Sequence, residues 1–165
     1  MAALTTGTLA PEFTLPTMDG KKFSLKEALS KGPVVAAFFK ISCPVCQFAL
    51  PYLERIHKAY GGQNVTIVGI SQNQKKDTAT FNKEFGLTFP VLLDDTTSYP
   101  VSNAYGLTNV PSIFWIAQGG EIEISSVGWI RKDLEEVNRR AAQTAHAAVK
   151  PVIHAGEDAP DFRAG

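Results

Sequence analysis

One junction constrains this chain more than any other feature. An unbroken apolar run, Val34 to Phe39, passes through Lys40-Ile41-Ser42 into Cys43-Pro44-Val45-Cys46, where helical periodicity begins. Such a run reads as a strand buried on both faces. Beyond it, Ala49, Leu53, Ile56 and Tyr60 fall on one stripe of a helix over 43–60. Pro44 suits the start of that helix, because its missing N–H is not needed there. Pro51 removes a backbone bond inside it and predicts a kink. Gly61-Gly62 ends it.

The spacing of the cysteines points to redox chemistry. Cys43 stands where free N–H groups and the helix dipole favour an anion. In that setting a thiol ordinarily near 8.5 falls into the range of about 3.5 to 7.5. Cys43 is thus the expected nucleophile toward a disulfide, and Cys46, nearly a turn further on, resolves the mixed disulfide. A zinc site needs four ligands, and the chain has only two cysteines. His57 lies about 16 Å further along a straight helix and cannot complete such a site locally. Covalent haem attachment needs a histidine after the second cysteine, where Gln47 stands. The loop that a Cys43–Cys46 disulfide would close is too short to add much chain-entropy stabilisation. Passive core thiols are the remaining alternative.

The rest of the chain supplies the frame. Its 165 residues suffice for one domain with a core. With 16 basic and 16 acidic residues the net charge is zero, so no overall field holds nucleic acid or an anionic membrane. No apolar run reaches the ~20 residues of a membrane span. Met1 to Leu9 lacks a basic segment followed by an apolar stretch, which leads to a cytoplasmic expectation with an exported form left open.

Residues 12–25 alternate around Asp19-Gly20 as a hairpin would, and a short helix is expected over Lys26–Ser30. Strands are predicted at 64–70 and 89–93, and helices at 75–85 and 99–105. A strand, tight turn and strand span Ser112 to Val127 across Gln118-Gly119-Gly120. A last helix is expected over Lys132–Ala145, with Asp133 and Glu136 resembling a capping box. Strands alternating with helices imply an α/β domain with a mostly parallel sheet covered on both faces, plus an antiparallel edge from the terminal hairpin. One domain is expected over 1–149, with a tail at 150–165. His57, His146 and His154 are read as surface residues, and Trp115 and Trp129 as core or rim aromatics.

The tail repeats a pattern. Gly156 to Phe162 and Gly7 to Phe13 both read Gly-x-x-Ala-Pro-acid-Phe. One reading is a loose terminus with a chance match. The other is a segment that docks on this subunit or a neighbouring one.

Taken together, Ala10-Pro11-Glu12-Phe13-Thr14-Leu15, Asp19-Gly20-Lys21, Cys43-Pro44-Val45-Cys46, Pro51 and Val110-Pro111-Ser112 resemble the thioredoxin-like redoxin group. That group includes the TlpA/ResA-like thiol–disulfide oxidoreductases and the alkyl hydroperoxide reductase/thiol-specific antioxidant (peroxiredoxin) proteins. The resemblance covers about Gly7 to Ala145. It implies a thioredoxin-like fold with a central mixed sheet flanked by helices, an N-terminal hairpin and an extra strand–helix insertion. It also implies a cis-proline at Pro111 facing the cysteines. The loop of Val110 and Pro111, with Pro44, would then orient a substrate backbone, and the proline would block metal capture.

Departures from the group are specific. Ser42 replaces the usual tryptophan, and Ala37 and Ala49 stand where a buried acid is often found. Lys40 is the nearest ionisable group in sequence, either a solvated strand end or a positive charge that favours the thiolate. The peroxiredoxin motif Pro-x-x-x-Thr-x-x-Cys would fall on Phe39, Cys43 and Cys46, losing its proline and threonine, and no arginine lies between Arg55 and Arg131. The leading expectation is therefore a thiol–disulfide oxidoreductase that needs no cofactor. Its partners would be a disulfide-containing protein and a dithiol reductant. A thiol peroxidase acting on hydroperoxides and a non-catalytic binding module of the same fold are the alternatives.

Overall fold

The computed structural model describes residues 2–165. The N-terminal hairpin forms as expected: β1 (Thr14–Pro16) pairs antiparallel with β2 (Lys22–Ser24). Ser24 then caps α1 (Leu25–Leu29) by accepting the Glu27 N–H. The central strand β3 (Val34–Phe39) has no exposed residue, which matches its unbroken apolar sequence.

Around β3 the sheet order is β5-β4-β3-β6-β7. Its other members are β4 (Thr66–Ser71), β5 (Val91–Leu93), β6 (Ser112–Ile116) and β7 (Ile122–Val127). β3, β4 and β5 run parallel, whereas β6 is antiparallel to β3 and to β7. The sheet is mixed, as the resemblance implies, and the hairpin of β6 and β7 supplies the expected antiparallel edge. An apolar run indicates burial but not direction; the turn at 118–120 makes β6 and β7 a hairpin, and that hairpin joins the open edge of β3.

Helix α2 (Pro44–Tyr60) carries Pro51 inside it and buries its predicted stripe of Ala49, Leu53, Ile56 and Tyr60. α3 (Lys75–Glu84) stacks Phe81 on Phe85, with ring centroids 4.6 Å apart. α4 (Pro100–Ala104) leads toward the loop before β6. β8 (Trp129–Ile130) feeds directly into α5 (Arg131–Thr144).

The capping box on α5 does not form. Ile130 is the N-cap residue, without a side-chain bond, because strand passes straight into helix and leaves Asp133 inside the first turn. Glu136 instead accepts from Arg139 and Arg140. His146 and His154 are exposed, but His57 is half-buried, with Nδ1 turned away from solvent. Trp115 and Trp129 are core residues. Residues 150–165 lie against the domain: Val152 and Ala159 are buried, and β9 (Phe162–Arg163) pairs antiparallel with β8. Among the described residues, no helix is long and apolar enough to cross a membrane.

Candidate active site

The carboxyl ends of β3 and β4 meet the start of α2, the position where open α/β sheets commonly place a site. Cys43 is the N-cap residue, with extended backbone angles, and Pro44 occupies the first helical turn. The Cys43 Sγ accepts the Cys46 N–H at 3.2 Å, one of the donors that a helix start leaves free. Its thiol also reaches the Val110 carbonyl oxygen at 3.4 Å. The Val110–Pro111 peptide is cis, as the family resemblance implies. Cys43, Pro44, Val110 and Pro111 are thus brought together, although Val110 lies 67 positions from Cys43 in sequence.

The two cysteines occupy different environments. Both are free thiols; Cys43 is half-buried and Cys46 is buried. Burial pushes the Cys46 thiol up, and its neighbour Cys43 adds to that. The positive charge of Lys40 acts on Cys46 in the opposite direction, as a smaller effect. Lys40 itself is exposed and lines one wall of a polar cavity of about 200 Å³, together with Gln72, Ser102, Asn109 and Val110. Ala37 and Ala49, where the resemblance led to the expectation of a buried acid, are fully buried apolar residues here.

Two positioning residues escaped the sequence reading. Asn73 Oδ1 accepts the Ile41 N–H at 2.9 Å, and Gln47 Nε2 donates to the Ile41 carbonyl at 2.9 Å. Both faces of the Ile41 backbone are therefore held, which fixes the loop that presents Cys43. The available signals were weak: Gln47 directly follows Cys46, and Asn73 lies just beyond the end of β4. Ser112 Oγ donates to the Asn109 carbonyl at 2.7 Å and ties down the opposing loop.

A strand–dithiol–helix junction faced by a proline loop, on a mixed five-stranded sheet, defines a thioredoxin-like fold with a redox-type site. The AhpC/TSA family matches residues 6–125, and the chain belongs to that family. The chain is similar to the thiol-disulfide oxidoreductase ResA of Geobacillus thermodenitrificans, at 30% identity over 132 residues that cover 79% of this chain and 74% of that protein. ResA of Bacillus subtilis is 31% identical over 121 residues, covering 73% and 66%. Among solved structures, a thiol:disulfide interchange protein of the thioredoxin family from Chlorobium tepidum superposes with a TM-score of 0.68 at 28% identity, covering 85% of this chain and 99% of that one. The thioredoxin domain of a thiol-disulfide oxidoreductase from Bacteroides vulgatus gives a TM-score of 0.74 at 23% identity, covering 84% and 98%.

Proposed function

We propose that the chain is a thiol–disulfide oxidoreductase in which Cys43 and Cys46 exchange electrons with disulfides of polypeptide substrates. The observation that carries this reading is the Cys43 sulfur at the helix start, fed by the Cys46 N–H and set against Val110. The Cys43 thiolate attacks one sulfur of the substrate disulfide. A mixed disulfide forms and one substrate thiolate leaves. Cys46 then loses its proton and attacks the Cys43 sulfur, which forms the Cys43–Cys46 disulfide and releases the second substrate thiol. The substrate gains two electrons, and a dithiol protein returns them to the pair. Run in reverse, the same steps oxidise a substrate dithiol.

The buried Cys46 makes resolution the demanding step. Its upward shift comes first from burial. The part contributed by the Cys43 sulfur falls away once that sulfur is bonded to substrate. No carboxylate at 37 or 49 stands by to take the proton, so the mixed disulfide should be long-lived at neutral pH. The hydroperoxide reading draws on the family's AhpC/TSA description. Cys46, at the position that aligns with the peroxide-reducing cysteine, has no exposed surface, so peroxide would have to react at Cys43.

Reduction of insulin disulfides and consumption of hydrogen peroxide, measured side by side, test the proposal. Cys43→Ser should abolish insulin reduction, and Cys46→Ser should accumulate a mixed disulfide through Cys43. Fast peroxide turnover that is lost with Cys43→Ser, without insulin reduction, would replace this reading with a peroxidase. Inactivity in both assays would leave a binding module.

A further inference from the structure

The last residues of the chain cross the dithiol face. Arg131 holds the Ala159 carbonyl at 2.9 Å, and Trp129 Nε1 donates to the Pro160 carbonyl at 2.6 Å. β9 then runs antiparallel along β8, with the Arg163 guanidinium 5.1 Å over the ring of Phe48 on α2. Asn109 Nδ2 donates to the main-chain oxygen of Gly165 at 3.2 Å. The fit is close enough to require glycine on both sides. At Gly128, with φ +80°, an added Cβ would lie 2.6 Å from the Arg163 carbonyl oxygen. At Gly165 an added Cβ would collide with the Val110 carbonyl, the same group that the Cys43 thiol reaches.

The family resemblance implies that a substrate backbone passes Val110, along the strip that continues over Gly128–Ile130 and Phe48; we propose that the protein occupies this strip itself. In the resting protein, residues 160–165 occupy it as an intramolecular competitor. The proposal rests on the oxidoreductase reading above. A substrate cystine held at Cys43 brings its flanking backbone past Val110, and the edge of β8 offers the main-chain groups that an added strand needs. The resident segment suits displacement. Its strand pairing is two residues long, Phe162 is 61% exposed, and most of its anchors are single hydrogen bonds. The Arg55–Glu157 fork, at 2.6 and 2.7 Å, fastens the segment further back, so residues 160–165 can lift while the anchor stays. Tethering keeps the local concentration of the competitor in the ~mM range.

The test compares the 165-residue chain with a form lacking 162–165 and with Gly165→Ala. Each is assayed on insulin and on a small aromatic disulfide that needs no docking strip. Removal of 162–165 should raise kcat/KM for insulin about tenfold, as for a tethered ~mM competitor whose Kd for the strip is about 0.1 mM, and leave the small disulfide within about twofold. Gly165→Ala should move insulin in the same direction by a smaller factor. A synthetic peptide of residues 157–165, added to the shortened chain, should restore the slow rate. Should the shortened form fail to fold, Gly165→Ala decides. An insulin rate that stays flat or falls, with small-disulfide turnover intact, would make the segment a structural brace and overturn the proposal. Loss of turnover on both substrates in every form would instead sink the oxidoreductase reading itself.

Discussion

Gly7 to Phe13 and Gly156 to Phe162 share a seven-residue pattern, and the fold treats the two copies alike at their glycine and their proline. Both glycines adopt left-handed backbone, at φ 90° and 85°. Both proline carbonyls accept from a buried aromatic: Tyr105 Oη donates to Pro11 at 2.7 Å, and Trp129 Nε1 donates to Pro160 at 2.6 Å. Then they diverge. Phe13 packs between Phe23 and Tyr105 in the core, whereas Phe162 projects from an edge strand into solvent. Glu12 fastens its neighbourhood by accepting from Ser24 and from the Lys26 N–H. The corresponding Asp161 contributes a main-chain carbonyl to the Arg131 N–H. Local letters set the turn and the anchor. Burial is decided by what lies opposite, the core groove in one copy and the rim of the dithiol face in the other.

The sharpest way to break this comparison is to truncate both phenylalanines. Phe13→Ala should cost about 3–5 kcal/mol in denaturant unfolding, as for a large buried aromatic. Phe162→Ala should stay within about 0.5 kcal/mol. Comparable losses at the two sites would mean that Phe162 is buried in solution, which would contradict the edge-strand placement.

A smaller effect separates the two ends by pH. The Arg55 fork, aided by the His154 N–H, holds the Glu157 carboxyl at about 2, below its ordinary 4.5. A lowered carboxyl stabilises the folded form above the unfolded value and ceases to do so as pH falls through the folded one. Hydrogen-exchange protection of the β8–β9 amides, corrected for intrinsic rates, should therefore decline between pH 4.5 and 2. The Ala10 amide, held by the Gly120 carbonyl at 2.8 Å, is the internal reference. Glu157→Gln should flatten the decline; an unchanged slope would detach the pair from docking of the segment.

Much of the site was legible because its determinants are local. The apolar run of β3, the proline after Cys43 and the helical stripe beyond Cys46 are each written within a few residues. The Val110–Pro111 loop was reached through family resemblance, since a proline before a strand carries little information alone. The missing cap of α5 and the hold of Asn73 on Ile41 were not legible, because each depends on where a distant segment arrives. The course of residues 160–165 belongs to the same group. Its partners Val110, Gly128 and Phe48 are scattered through the sequence, and no local pattern brings them together.

The central claim is the division of labour between the two sulfurs, and limited alkylation tests it most directly. The reduced protein, treated with substoichiometric iodoacetamide at neutral pH and mapped by mass spectrometry, should carry the label on Cys43 at least about tenfold faster than on Cys46, since Cys46 is buried and burial pushes its thiol up. Equal labelling, or Cys46 first, would contradict the account.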